Sequence, residues 1–241
     1  MTNNKALDFW NDRALRFAEM AGTKDTIAKR LEIKAISKYI HDGMTILDFG
    51  CGNGITALSL AEEFYVHVIG IVYSPEMILS ANEHSDNTRL KGNVHFEVGD
   101  ITTLPSDEKF DVVYTERMII NLPTWHEQVE AIVKLTSLLK PYGKYLMCEN
   151  SQDGLDKINW LRQQHNLPEI KPPWHNRYLK DDEIKTVSIP QVKLELIDYY
   201  SSTYYYLSRI VNARVAADKG EEPDYNSPIN RIALNMPSIG I

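Results

Sequence analysis

Residues 44–54 read Met-Thr-Ile-Leu-Asp-Phe-Gly-Cys-Gly-Asn-Gly. The stretch 44–50 is a short apolar run that carries one acid, Asp48, and closes on glycine, which is the pattern of a buried strand. Glycines then alternate at Gly50, Gly52 and Gly54, and the segment 51–64 reads as a helix. Glycine lets the backbone turn sharply and approach a ligand closely. The helix N-terminus that follows offers unpaired amides and the positive end of a dipole, which suit an anion. A strand, a glycine loop and a helix in that order open a βαβ series.

The rest of the chain continues the series. Apolar runs at 66–73, 94–100, 110–116 and 144–150 read as further strands. Helices are expected at 74–84, where Ser74 is a good N-cap and Pro75 occupies the first turn, and at 124–140, before Pro141 and Gly143. Weaker helical periodicity appears at 6–20 and 26–41. Strands alternating with helices predict an α/β chain with a Rossmann-like, doubly wound, mostly parallel sheet. Ligands of such sheets bind at the carboxyl ends of the strands. That directs attention to 48–54, 70–74, 99–101, 115–121 and 149–152.

After residue 150 the alternation breaks. A helix at 153–165, the Pro-rich stretch 167–179, a sixth strand at 192–200 and a Tyr-rich helix are expected. The expected organisation is a core over 1–150 and an α-rich cap over 151–241, packed as one domain. No seventh strand is legible. An unpaired strand edge invites a second chain, so a homodimer is expected.

Composition narrows the class. The chain has 241 residues, 43% hydrophobic, with 26 basic against 33 acidic side chains. A net charge of −7 repels a phosphate backbone, so nucleic acid is not an expected partner. No apolar run reaches the roughly 18 residues a membrane span needs. The first residues lack a signal-peptide pattern, and the two cysteines, Cys51 and Cys148, form no paired motif, so a reducing cytoplasmic setting is expected.

The glycine spacing selects the ligand. A dinucleotide fingerprint is GxGxxG, whereas here the third glycine comes one residue early; a P-loop GxxxxGK[ST] is absent. The segment DFGCGNG (48–54) resembles the first motif of the class I S-adenosylmethionine (SAM)-dependent methyltransferases. So do GIVYSPEM (70–77), Gly99-Asp100-Ile101, and LLKPYGK (138–144) before the fifth strand. The resemblance implies that Asp48, Gly50, Cys51 and Gly52 hold the methionyl part of SAM. It implies that Val72, Tyr73 and Met77 line the ribose and adenine site, with Gly99, Asp100 and Ile101 at the adenine and Thr115 at the end of the fourth strand. Trp10 is either an anchor for its helix or a cover over SAM. The family usually has an acid where this chain has Val72. A lost hydrogen bond to a charged group costs about 1.5–3 kcal/mol, roughly ten- to a hundredfold in affinity.

The resemblance implies methyl transfer from SAM, leaving S-adenosylhomocysteine (SAH), to an oxygen or nitrogen of a small polar molecule, with a sugar as one class. Glu116 and Arg117, just past the fourth strand, are expected to shape or activate the acceptor. His175, inside Trp174-His175-Asn176-Arg177-Tyr178, is the candidate base, against the plainer reading of a packed insert. Thr115-Glu116-Arg117 does not look like metal-binding aspartates, so no metal is expected. The alternative is a weakly active or inactive SAM/SAH-binding protein, because Val72 replaces the ribose acid.

Overall fold

The computed structural model describes residues 4–17, 21–101, 104 and 107–240. By their contacts these fall into two compact units. One takes the chain up to Thr23 and Ile36–Glu149; the other takes Lys24–Ala35 and the chain from Asn150 onward.

The first unit carries the sheet. After α1 (Asn4–Phe17) and α2 (Thr26–Ser37), which begins in the second unit, the elements alternate: β1 (Thr45–Phe49), α3 (Ile55–Glu63), β2 (His67–Val72), α4 (Pro75–Asp86), β3 (Asn93–Val98), β4 (Phe110–Glu116), α5 (Trp125–Thr136) and β5 (Leu139–Cys148). Among the described residues the strands form one parallel five-stranded sheet, ordered β3-β2-β1-β4-β5. The order reverses at β1, which pairs with β2 on one side and β4 on the other, so the switch point lies at the glycine loop. Ile46 and Leu47 of β1 and Val112, Val113 and Tyr114 of β4 are almost fully buried. A central parallel strand covered on both faces has that near-continuous apolar character.

Local signals explain most boundaries. Ser74 caps α4 by accepting from the Met77 amide at 3.2 Å. Thr124 and Glu127 form a reciprocal capping box on α5. Helices α3 and α5 are shorter than the sequence predicts. The helix expected over 51–64 begins at Ile55, because Gly50, Gly52 and Gly54 all have positive φ. The helix expected over 124–140 stops at Thr136, and β5 starts at Leu139 rather than 144. A register shift opposite Phe110/Val112 accommodates Pro141 in the strand, with Tyr142 at φ 67. Glycine suits position 143, since a Cβ there would be tight, 3.0 Å from the Lys140 and Phe110 carbonyls. The N-terminal helices are α1, whose expected extension to residue 20 lies outside the described residues, and α2, which ends at Ser37 rather than 41.

The second unit adds α6 (Gln152–Gln164), α7 (Asp181–Thr186), α8 (Ser202–Tyr206), a π-helical stretch Leu207–Asn212, α9 (Ala213–Lys219) and α10 (Pro228–Ile232). Its core joins Ile27, Ala28 and Leu31 of α2 to Tyr204 and Ala233. Asp25 ties this core together. It accepts from the Ala28 amide at 3.0 Å, the Tyr204 hydroxyl at 2.5 Å and the Arg209 guanidinium at 3.0 Å. Arg209 lies over the rings of Tyr225 and Tyr205. The tyrosines at 204 and 205 therefore serve this buried network.

The sixth strand expected at 192–200 does not form. Only an isolated bridge, Ile189 to Val192, touches it, and Val192, Leu194 and Leu196 are 40–63% exposed. Alternating apolar residues make a strand only where a partner edge and a burying face exist, and here these side chains bury neither face. No helix among the described residues is long and apolar enough to cross a membrane.

Candidate active site

The carboxyl ends of the strands meet around the glycine loop. The Ile71 carbonyl at the end of β2 accepts from both the Gly50 amide at 2.7 Å and the Cys51 amide at 3.1 Å. The loop is thereby tucked against β2, beside Val72 and Tyr73. The Gly99 amide donates to the Val72 carbonyl at 3.1 Å, which brings Asp100 alongside the same strand end. Asn11 of α1 accepts from the Ser74 hydroxyl at 2.6 Å. Within the first unit, the expected cofactor segments 48–52, 72–77 and 99–101 are therefore neighbours, and the N-terminal helix that carries Trp10 reaches the same end of the sheet.

The glycines of the loop differ in what surrounds them. A Cβ on Gly50 would lie 2.5 Å from the Met118 Cγ, and one on Gly54 would lie 2.5 Å from the Phe96 ring. Those two positions are filled by packing. A Cβ on Gly52, at φ 54, would meet nothing within 4 Å. The middle of the loop thus faces open space at the start of α3. Gly54 is the N-cap of that helix and, as a glycine, has no side chain of its own to cap it. Its first amides present the positive end of a nine-residue helix.

The titratable groups are tuned mostly by burial. Burial first, and the Asp48 charge second, push the Cys51 thiol well above its ordinary range, so it stays protonated. Asp48 is 1% exposed, and its charge also raises the buried Tyr114 phenol. Burial lifts Tyr73 to about 12. On α1, Arg13 donates to the Ala21 carbonyl at 2.6 Å and lies over the rings of Phe9, Trp10 and Phe17. Trp10 also packs edge-on against Phe9. Burial, then the Arg117 charge, holds the Arg13 guanidinium below its usual value, so two cations share this end of the sheet.

Thr115 and Glu116 end β4, and Arg117 follows it. Arg117 has φ 52, a left-handed conformation uncommon for a side-chain-bearing residue and concentrated at functional sites. Its amide donates to the Cys148 carbonyl at 2.9 Å. Glu149, next after β5, accepts from the amides of Met118, Ile119 and Ile120. Sequence reasoning placed Glu149 at the cleft without resolving its role, and it passed over Asn11, Arg13 and Met118. The available signal was the position of Glu149, a lone acid closing the run LMC; no pattern marks Met118.

His175 belongs to the second unit, where its ring stacks edge-on with Trp174. In that unit a groove of about 530 Å³ is lined by Gln152, Asp156, Asn176, Arg177, Tyr178 and Lys180, among others. Arg177 pairs with Glu183, and the Gln152 amide donates to Asp156 at 2.7 Å.

Comparison with known proteins shows what the chain is similar to. A family model described as "Methyltransferase domain" matches residues 40–188. Phosphoethanolamine N-methyltransferase 3 of Arabidopsis thaliana is 37% identical over 111 residues, 46% of this chain and 22% of that enzyme. The 27-O-demethylrifamycin SV methyltransferase of Amycolatopsis mediterranei is 31% identical over 140 residues, 56% of this chain and 47% of that enzyme. The matched stretch thus spans less than half the length of either relative. The structure of magnesium protoporphyrin IX methyltransferase from Synechocystis PCC 6803, solved with bound SAH, superposes with a TM-score of 0.57 over 77% of this chain and 83% of that one. At 19% identity that likeness is one of fold.

Proposed function

The chain belongs to the methyltransferase-domain family, as a class I SAM-dependent member, and from that premise we propose that it transfers a methyl group from SAM to an oxygen or nitrogen of a small polar acceptor, with a hydroxyl-rich molecule such as a sugar as the class we favour. The observation that carries the reading is Gly52. It holds a positive φ over open space at the start of α3. A group with a carboxylate and a flat ring system fits there: backbone can approach it closely, and the helix end favours its negative charge.

In this reading SAM supplies an electrophilic methyl carried on a sulfonium. The chain's own residues do the rest. Gly50, Cys51 and Gly52, backed by Asp48, hold the methionyl end. Val72, Tyr73, Met77, Gly99, Asp100 and Ile101 line the ribose and adenine, with Asp100 as the acid nearest the strand end that lacks one. Trp10 covers this site from α1, and Thr115 closes the floor at the end of β4. Glu116 and Arg117 orient the acceptor. Cys51, buried and protonated, is not a nucleophile.

The acceptor class draws on two supports. One relative is named for N-methylation of phosphoethanolamine and another for methylation of a demethylrifamycin. The groove in the second unit presents the amide, carboxylate, guanidinium and phenol groups that hydroxyl-rich molecules bind. A second reading follows from one residue. Val72 accepts no hydrogen bond, so a SAM/SAH binder with little turnover is the competing function. Self-association through β5, which lies at an edge of the sheet, is the accompanying proposal about partners, read by light scattering at micromolar concentration.

Calorimetric titration with SAH tests binding, and methyl transfer from labelled SAM to a panel of sugars and amino alcohols tests turnover. Binding with turnover supports methyl transfer, and binding without turnover on any acceptor supports the second reading. No binding overturns both.

A further inference from the structure

Glu149 follows β5, and its carboxylate gathers three amides from one short segment: Met118 at 3.3 Å, Ile119 at 3.1 Å and Ile120 at 3.4 Å. These amides begin the 3-10 turn Ile119–Asn121, where no intrahelical acceptor exists. The same segment is fixed at Arg117, whose amide meets the Cys148 carbonyl and whose carbonyl accepts from the Asn121 side chain at 2.6 Å. Met118 then reaches the glycine loop, since a Cβ on Gly50 would strike its side chain. A continuous path of contacts runs from Glu149 through Met118 to Gly50, and along the backbone to Arg117.

We propose that Glu149 is a positioning residue: ionised, it clamps the 118–120 amides and so sets both the glycine loop, through Met118, and the left-handed Arg117 at the acceptor side. This deepens the methyl-transfer reading and rests on it. The chemistry gives the clamp two states. A carboxylate accepts at both oxygens, whereas a protonated carboxyl turns one of them into a donor and holds the amides less strongly. Burial raises the Glu149 carboxyl to about 7, outweighing the Thr115 hydroxyl and the Ile119, Ile120 and Met118 amides that favour its ionised form. The groups packed with it are few. Thr115 of β4 meets the Tyr145 hydroxyl of β5 at 3.2 Å, and the Glu149 charge pushes the buried Tyr145 phenol further up. Cys148 precedes Glu149, and Glu116 and Arg117 flank it on the β4 side.

The test follows the ¹⁵N amide shifts of Met118, Ile119 and Ile120 in the full chain from pH 5.5 to 8.5. SAH affinity is measured by calorimetry over the same range, for the wild type and for Glu149→Gln. The three amides are expected to titrate together with a midpoint near 7. Wild-type affinity should be about fivefold weaker at the acid end, the effect of one lost hydrogen bond. Glu149→Gln should show neither dependence. A cap with no bearing on the site predicts amide titration with a flat affinity profile, and that result overturns the role. Amides that do not titrate in the wild type also overturn it, whatever the variant's stability. If SAH binds at no pH, the methyl-transfer reading falls and takes this role with it; the amide titration, read without ligand, keeps the two failures apart.

Discussion

Replacing Gly50 and Gly52 by alanine, one at a time, separates what the glycine loop does for folding from what it does for a ligand. Both residues have positive φ, 84 and 54, so each alanine carries a left-handed penalty of about 1–2 kcal/mol. Only at Gly50 does the new methyl also meet the free protein, at 2.5 and 2.7 Å from the Met118 side chain. Overpacking adds about 1–3 kcal/mol, so Gly50→Ala should cost about 2–5 kcal/mol in total. At about 2–4 °C per kcal/mol for a chain of this size, that is a fall in Tm of roughly 10 °C. Gly52→Ala meets nothing within 4 Å and should lower Tm by only about 2–8 °C. The position of the clash then reverses the order in binding. If SAH lies over Gly52, the overpacking is met only in the complex, and about 1–3 kcal/mol becomes a five- to 150-fold loss of affinity. Calorimetric titration and thermal melts of the two variants read both quantities. A Gly52→Ala protein that binds SAH within about twofold of wild type would refute the placement of the ligand over the loop.

Val72→Asp should tighten SAH binding by about tenfold or more, because an acid at the end of β2 restores an acceptor for the ribose hydroxyls; unchanged affinity would mean that Asp100 already fills that role. Tyr204→Phe removes a buried donor from Asp25 and should cost about 2 kcal/mol, read as a fall in Tm of roughly 4–8 °C by calorimetry. Glu149 makes stability depend on pH in a definite direction. Its carboxyl is raised from 4.5 to about 7 in the folded chain, so its contribution is complete below about 4.5 and is lost as pH rises through about 7. Between pH 5 and pH 8 the loss is about 2–3 kcal/mol. Urea unfolding at pH 5 and pH 8 should show that difference in the wild type and not in Glu149→Gln.

The fold was legible where the sequence carried its own local cause. Ser74-Pro75 and Thr124 announce the starts of α4 and α5, and the apolar runs at 44–50 and 110–116 become the central strands. The errors fall where tertiary contact decides. LKPYGK reads as the end of a helix, yet a bulge opposite Phe110 lets Pro141 sit in an edge strand, and a Cβ at Gly143 would crowd the neighbouring carbonyls. VKLELIDYY has the alternation of a strand but lacks a partner edge, which periodicity cannot report. The candidate site divides in the same way. Glycine spacing and strand ends located the loop, Val72 and Asp100, because backbone turns leave a mark on residue type. The contacts that hold the loop in place left almost none. Met118 is an ordinary apolar residue in sequence, and its importance comes from lying against a glycine 68 positions away. Glu149 gathers amides that every residue type possesses. Positioning through backbone amides is invisible to motif reading for that reason, because the acceptor must be a particular side chain while the donors can belong to any. The residues most worth mutating in this chain are therefore those that touch the loop, as well as those that compose it.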